Sequence, residues 1–179
     1  MSLLIKNGEI VTAGERYVAD ILCENETITR IDRGITPPKG AEVIDAKGKF
    51  VFPGFIDPHV HIYLPFMGTL AKDDYITGSE AALIGGTTTL IEMCCPARKD
   101  DTLEGFELWM KQAVGKSACD FTFHMGVTKF DDQTEKQLRE IVKRGISSFK
   151  IFLAYKGAFG IDDTELYRTL KLAKELGVI

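Results

Sequence analysis

His59 and His61 stand two residues apart in "DPHVHIYLPF". In a strand, positions i and i+2 face the same side, with Cα atoms ~6.6 Å apart at a rise of ~3.3 Å per residue. Two neutral imidazoles so placed can converge on one metal ion. The competing reading is two histidines that merely hydrogen-bond in a core or face solvent. Their place at the end of an apolar run, just before a loop, lifts the metal reading level with the other, because sites in parallel α/β folds gather at the carboxyl ends of strands. Asp57 has the same parity and can orient a histidine from behind, or simply cap the strand beside Pro58. Glu92, late in "TLIEMCCP", and His124, in "DFTFHMGV", also fall near strand ends. Glu92 reads as a hydrogen-bonding support or an ion-pair partner, and His124 as a satisfied histidine behind the ligands.

The second chemical anomaly is Lys150, inside "SSFKIFLAYKG". That stretch reads as a fully buried strand, with Phe149, Ile151 and Leu153 on one face and Phe152 and Ala154 on the other. Burying an ammonium is costly unless something compensates. A neutral lysine is one solution and a buried ion pair another. A third is covalent: carbon dioxide on Nζ gives a carbamate, an anion able to bridge two metals. The residues alone leave all three open.

The elements that must position these groups alternate. After about residue 53, apolar strand-like runs are each followed by an amphipathic helical stretch, and Val178-Ile179 start another apolar run. Such alternation specifies βα units on a parallel sheet. Gly85-Gly86, Gly145 and Gly177 fall where helices should end. Residues 1–52 differ, with short strands, an Asn7-Gly8 hairpin signal, a second hairpin tip at Glu24–Glu26 and a Pro37-Pro38 loop. They form a small β module, and residues 53–179 a separate α/β domain.

Composition narrows the function. The net charge is −4 over 179 residues, without a basic block, which gives no electrostatic support for nucleic-acid or anionic-membrane partners. No apolar run reaches the ~18 residues of a membrane span, and the N-terminus lacks the pattern of a signal peptide. Cys23, Cys94, Cys95 and Cys119 match neither a zinc ribbon nor a CxxC motif; free thiols in a cytoplasmic protein are the expectation.

"VFPGFIDPHVHIYLPF", "GGTTTLIEMCCPAR" and "SSFKIFLAYKG" together resemble the cyclic amidohydrolases, in particular the hydantoinase and dihydropyrimidinase branch. The resemblance covers essentially the whole chain. It implies a TIM-type (β/α)8 barrel, with about the first four βα units present here, and a β-sandwich to which residues 1–52 contribute. It implies two divalent metal ions, usually zinc, with manganese or cobalt as alternatives. By resemblance His59 and His61 bind the more buried metal, and Lys150, as its carbamate, bridges both. Tyr155 is the residue that hydrogen-bonds the substrate oxyanion. A hydroxide shared by the metals opens a hydantoin or dihydropyrimidine ring to an N-carbamoyl amino acid. Leu64, Phe66, Phe152 and Phe159 are expected around the exocyclic group. The family also needs two further histidines and an aspartate from later strands, so the sequence reads as the N-terminal part of a longer enzyme, commonly a homotetramer. The alternatives are an inactive dihydropyrimidinase-like scaffold, or an allantoinase- or dihydroorotase-type hydrolase. The apolar "IYLPFMG" argues against the latter pair, whose polar substrates call for arginine or asparagine.

Overall fold

The computed structural model describes residues 1–66 and 68–179, apart from the side chain of Phe66. The pocket position expected of Phe66 therefore lies outside the described residues. The chain divides into two compact units, Met1–Gly54 and Phe55–Ile179.

The first unit is a five-stranded sheet built from β1 (Ser2–Val11), β2 (Arg16–Glu24), β3 (Thr27–Asp32), β4 (Glu42–Asp45) and β5 (Phe50–Val51). β1 pairs antiparallel with β2 and parallel with β4 and β5. The Asn7-Gly8 pair does not turn the chain. It forms a bulge inside a continuous β1, where the register with β2 shifts between Ile5 and Gly8. Asn7 takes a left-handed φ of 61°, and its N–H donates to Asp20 Oδ1 at 2.8 Å. A Cβ on Gly8 would lie 2.5 Å from Val51 Cγ2, so the glycine here answers close packing rather than a hairpin. The expected tip between β2 and β3 does turn, with Asn25 and Glu26 both at positive φ, the geometry that suits a two-residue hairpin.

The second unit alternates strand and helix. β6 (Phe55–Val60) precedes a short hairpin, β7 (Pro65–Phe66) and β8 (Thr69–Leu70). Then come α1 (Tyr75–Ile84), β9 (Thr87–Cys94), α2 (Thr102–Ala113), β10 (Asp120–Val127), α3 (Asp132–Lys143), β11 (Phe149–Lys156) and α4 (Asp163–Leu176). The four long strands form a parallel sheet in the order β11-β10-β9-β6, the α/β arrangement expected. Aspartates 74, 101, 131 and 162 cap the four helices, each accepting backbone N–H groups of the first turn. Gly177 closes α4 in the left-handed conformation. The core lies between sheet and helices, around Leu90, Phe106, Trp109, Phe123, Met125, Leu138 and Ile141.

β11 departs from expectation. It is half-buried to exposed throughout, and Leu153 is 62 % accessible. The cause is its edge position. β10 is its one long-strand neighbour; beyond that, Ile179 donates to Ser147 O at 3.1 Å and accepts from Phe149 N at 2.7 Å, and Phe152 bridges Gly160 and accepts from Ile161 N at 3.1 Å.

Candidate active site

The carboxyl ends of β6, β9 and β11 bring the chemical residues together. His59 is the penultimate residue of β6, before Val60, and His61 follows the strand. Their rings stand 5.2 Å apart between centroids at 73°. Burial, then His59, then Lys150 lower the proton affinity of His61, keeping its imidazole neutral and able to donate a lone pair. Asp57 Oδ1 accepts the N–H of His59 at 3.0 Å. It thus fixes the backbone at the first histidine, and among the described residues no hydrogen bond joins it to an imidazole.

Lys150 is half-buried, with Nζ 5.0 Å from the centroid of Phe152. Among the described residues it has no carboxylate partner and no hydrogen-bond acceptor, so the ion-pair solution finds no support. Register places Lys150 opposite Gly126 of β10, where a Cβ would lie 2.7 Å from Cys94 O and 3.1 Å from Cys95 Sγ. Glycine there lets the β9 terminus approach closely.

A cavity of about 190 Å³ is lined by His61, Leu64, Cys95, Phe152, Tyr155 and Phe159. The expected wall residues Leu64, Phe152, Tyr155 and Phe159 thus meet beside a histidine. Phe152 packs against Phe159 with centroids 5.7 Å apart and against Tyr155 at 6.2 Å. Phe159 also borders two wider grooves of about 640 and 800 Å³, so one ring separates three spaces. Tyr155 has a φ of 60°, a left-handed conformation that is uncommon outside glycine and asparagine and that concentrates at functional positions.

Cys95 was not singled out as a lining residue by the sequence, although its place just beyond β9 on the same sheet edge was the available signal. Its thiol is pushed up to about 12 by burial, against the pull of Lys150 and with a push from Glu92, so it is a neutral wall group. His124 is satisfied at both nitrogens: Nε2 lies 2.9 Å from Pro58 O and Nδ1 2.5 Å from Ser148 Oγ. Because a carbonyl can only accept, Nε2 carries the proton and Nδ1 accepts from the serine. Glu92 is buried, and burial pushes its carboxyl up to about 7 although the N–H groups of Tyr63 and Ile62 pull it down.

The segment after Tyr155 is fastened by a cluster that sequence reading did not anticipate. Arg98 forks onto Glu165 at 2.8 and 3.0 Å and donates to Thr128 O at 2.9 Å. Glu165 in turn accepts from Phe130 N and Asp162 N. Lys156 Nζ donates to Ile161 O at 2.6 Å, folding the loop back on its strand.

A pair of strand-end imidazoles and a lysine without a counter-ion suit a metal centre only in part. Among the described residues no three of His, Cys, Asp and Glu gather around one point. His59 and His61 fit two ligands of one ion, and Lys150 fits as a third only after losing its positive charge.

Residues 50–179 match the amidohydrolase family, and the chain belongs to that family. It is 46 % identical over its whole length to the D-hydantoinase of Geobacillus stearothermophilus, of which it covers 38 %. It is 42 % identical to the dihydropyrimidinase of Dictyostelium discoideum over 99 % of the chain and 36 % of that protein. The structure of a D-hydantoinase from Thermus sp. superposes with a TM-score of 0.96 and 70 % identity, over 98 % of this chain and 38 % of the other. The chain therefore spans a little over a third of these relatives, and its own fold is the first four βα units of a TIM-type barrel with an N-terminal sheet module.

Proposed function

We propose that this chain supplies the first half of the active site of a metal-dependent hydrolase that opens hydantoin or dihydropyrimidine rings to N-carbamoyl amino acids. The reading is supported by the His59–His61 ring pair, by a Lys150 charge near enough to act on His61, and by a small cavity with apolar walls that His61 and Tyr155 both line. His59 and His61 would hold the more buried of two divalent ions, zinc foremost, with manganese or cobalt as alternatives. Lys150, as a carbamate formed by an N–C bond to carbon dioxide with release of protons to solvent, would bridge the two. When bound, the metals activate water at neutral pH and polarise the scissile carbonyl.

The protein's own groups do the rest. Tyr155 donates its phenolic proton in a hydrogen bond to the oxygen that gains charge as the ring amide is attacked. Leu64, Phe152 and Phe159 exclude water and accept an apolar ring substituent. The apolar wall favours hydantoins with apolar substituents over allantoin or dihydroorotate, whose polarity it leaves unpartnered. The D-hydantoinase and dihydropyrimidinase names of the relatives support the same reading. The substrate is a small molecule, and a homotetramer in the cytoplasm is the assembly and location this reading brings with it.

Lys150→Ala is expected to abolish metal loading, with partial recovery on adding a small carboxylate; elemental analysis decides. Full metal occupancy in Lys150→Ala refutes the bridge. Tyr155→Phe is expected to keep its metals and lose turnover, and loss of metal there would assign Tyr155 a structural role instead. A folded wild-type sample that takes up no zinc, manganese or cobalt would favour the inactive scaffold.

A further inference from the structure

Glu92 is 1 % exposed, and among the described residues no cation pairs with it. Its hydrogen bonds run in one direction. Oε1 accepts from Ile62 N at 2.9 Å and Tyr63 N at 2.7 Å, while the Tyr75 hydroxyl, at the start of α1, donates to Oε2. A buried acid without a cation is a costly way to fill a core position that an apolar residue could occupy. What it holds explains where it is.

The β6–β9 ladder ends at Val60, whose register partner is Glu92 itself. Beyond that pair the chain leaves the sheet, and the N–H groups of Ile62 and Tyr63 have lost their ladder partners. The Glu92 side chain replaces them with one oxygen. His61 is thus held between two anchors on a single residue of β9: the strand register at Val60 and the carboxyl at Ile62. Ile62 is itself buried, and its side chain lies 3.2 Å from where a Cβ on Gly78 would sit, so α1 presses on the same point.

We propose that Glu92 is a positioning residue for His61, fixing the backbone that aims its imidazole at the site. The link to metal rests on the ligand role given above to His59 and His61; the fixing of the backbone does not.

The test uses Glu92→Gln, which keeps an acceptor for both N–H groups, and Glu92→Leu, which keeps bulk and removes it. Amide hydrogen exchange and zinc affinity are measured on the whole chain. In Glu92→Leu the Ile62 and Tyr63 amides are expected to exchange at least tenfold faster, with Phe123 and Met125 amides unchanged. Zinc affinity is expected to fall about 10- to 100-fold, the range found when groups behind a ligand are removed. Glu92→Gln is expected to stay within about threefold of wild type in both readouts. Unchanged protection at Ile62 and Tyr63 overturns the proposal. So does equal loss across the core, which marks a general structural role, or failure of Glu92→Gln to restore protection. If Glu92→Leu does not fold, Glu92→Asp, too short to reach both N–H groups, takes its place with the same criteria. If the wild type binds no zinc while the amides behave as expected, the ligand reading fails and the positioning role stands.

Discussion

At the scale of single residues, the chemistry was legible where a side chain contradicts its surroundings. Lys150 in an apolar run and two histidines at strand spacing both announce themselves, and the structure brings the lysine near enough for its charge to act on His61. Glu92 announced less, because a carboxylate late in a strand reads equally well as half of an ion pair. Only the fold reveals that its partners are backbone N–H groups thirty positions away in the chain. Its acidity gives a pH signature. The carboxyl has an ordinary value of 4.5 and rises to about 7 in the folded chain, so between these values the folded state holds a proton that the unfolded state has lost. Stability is therefore fullest below the ordinary value and falls as pH rises through the folded one, by roughly 3 kcal/mol at most. Urea denaturation across this window is expected to show that decline in the wild type and a flatter profile in Glu92→Gln. Equal slopes would show that Glu92 does not titrate this way.

At the scale of elements, strand and helix identities followed from periodicity and from aspartate and glycine punctuation. β9 and β10 coincide with the runs "TTTLIEMC" and "DFTFHMGV". Two readings failed for reasons that lie outside any local window. Asn7-Gly8 has hairpin chemistry, but Asp20 and Val51 turn the same preference into a bulge. β11 has the composition of an interior strand and occupies an edge. The segment from Tyr155 to Ile161 was invisible as structure, since its order comes from Arg98, far back in the chain, whose N–H donates to Ala158 O and whose guanidinium forks onto Glu165 of α4. Its tightest point is Gly160, where a Cβ would stand 2.4 Å from Ala154 O. Gly160→Ala is expected to cost about 1–3 kcal/mol and to loosen Tyr155, seen as lowered denaturation midpoint and altered tyrosine fluorescence. A fully stable variant would mean that the loop yields at no cost.

At the scale of the whole molecule, alternation of strand and helix was enough to specify a parallel sheet, but not the order in which its members would be protected. His124 has a meaning at this scale too. From the middle of the sheet its ring touches Pro58, the neighbour of His59, on one side, and Ser148, two residues before Lys150, on the other. One imidazole thus works as a caliper. Its fixed width gauges the gap between the strand end that leads into the histidine pair and the strand that carries the lysine, so their separation is set by the size of a ring whose two nitrogens are already taken up.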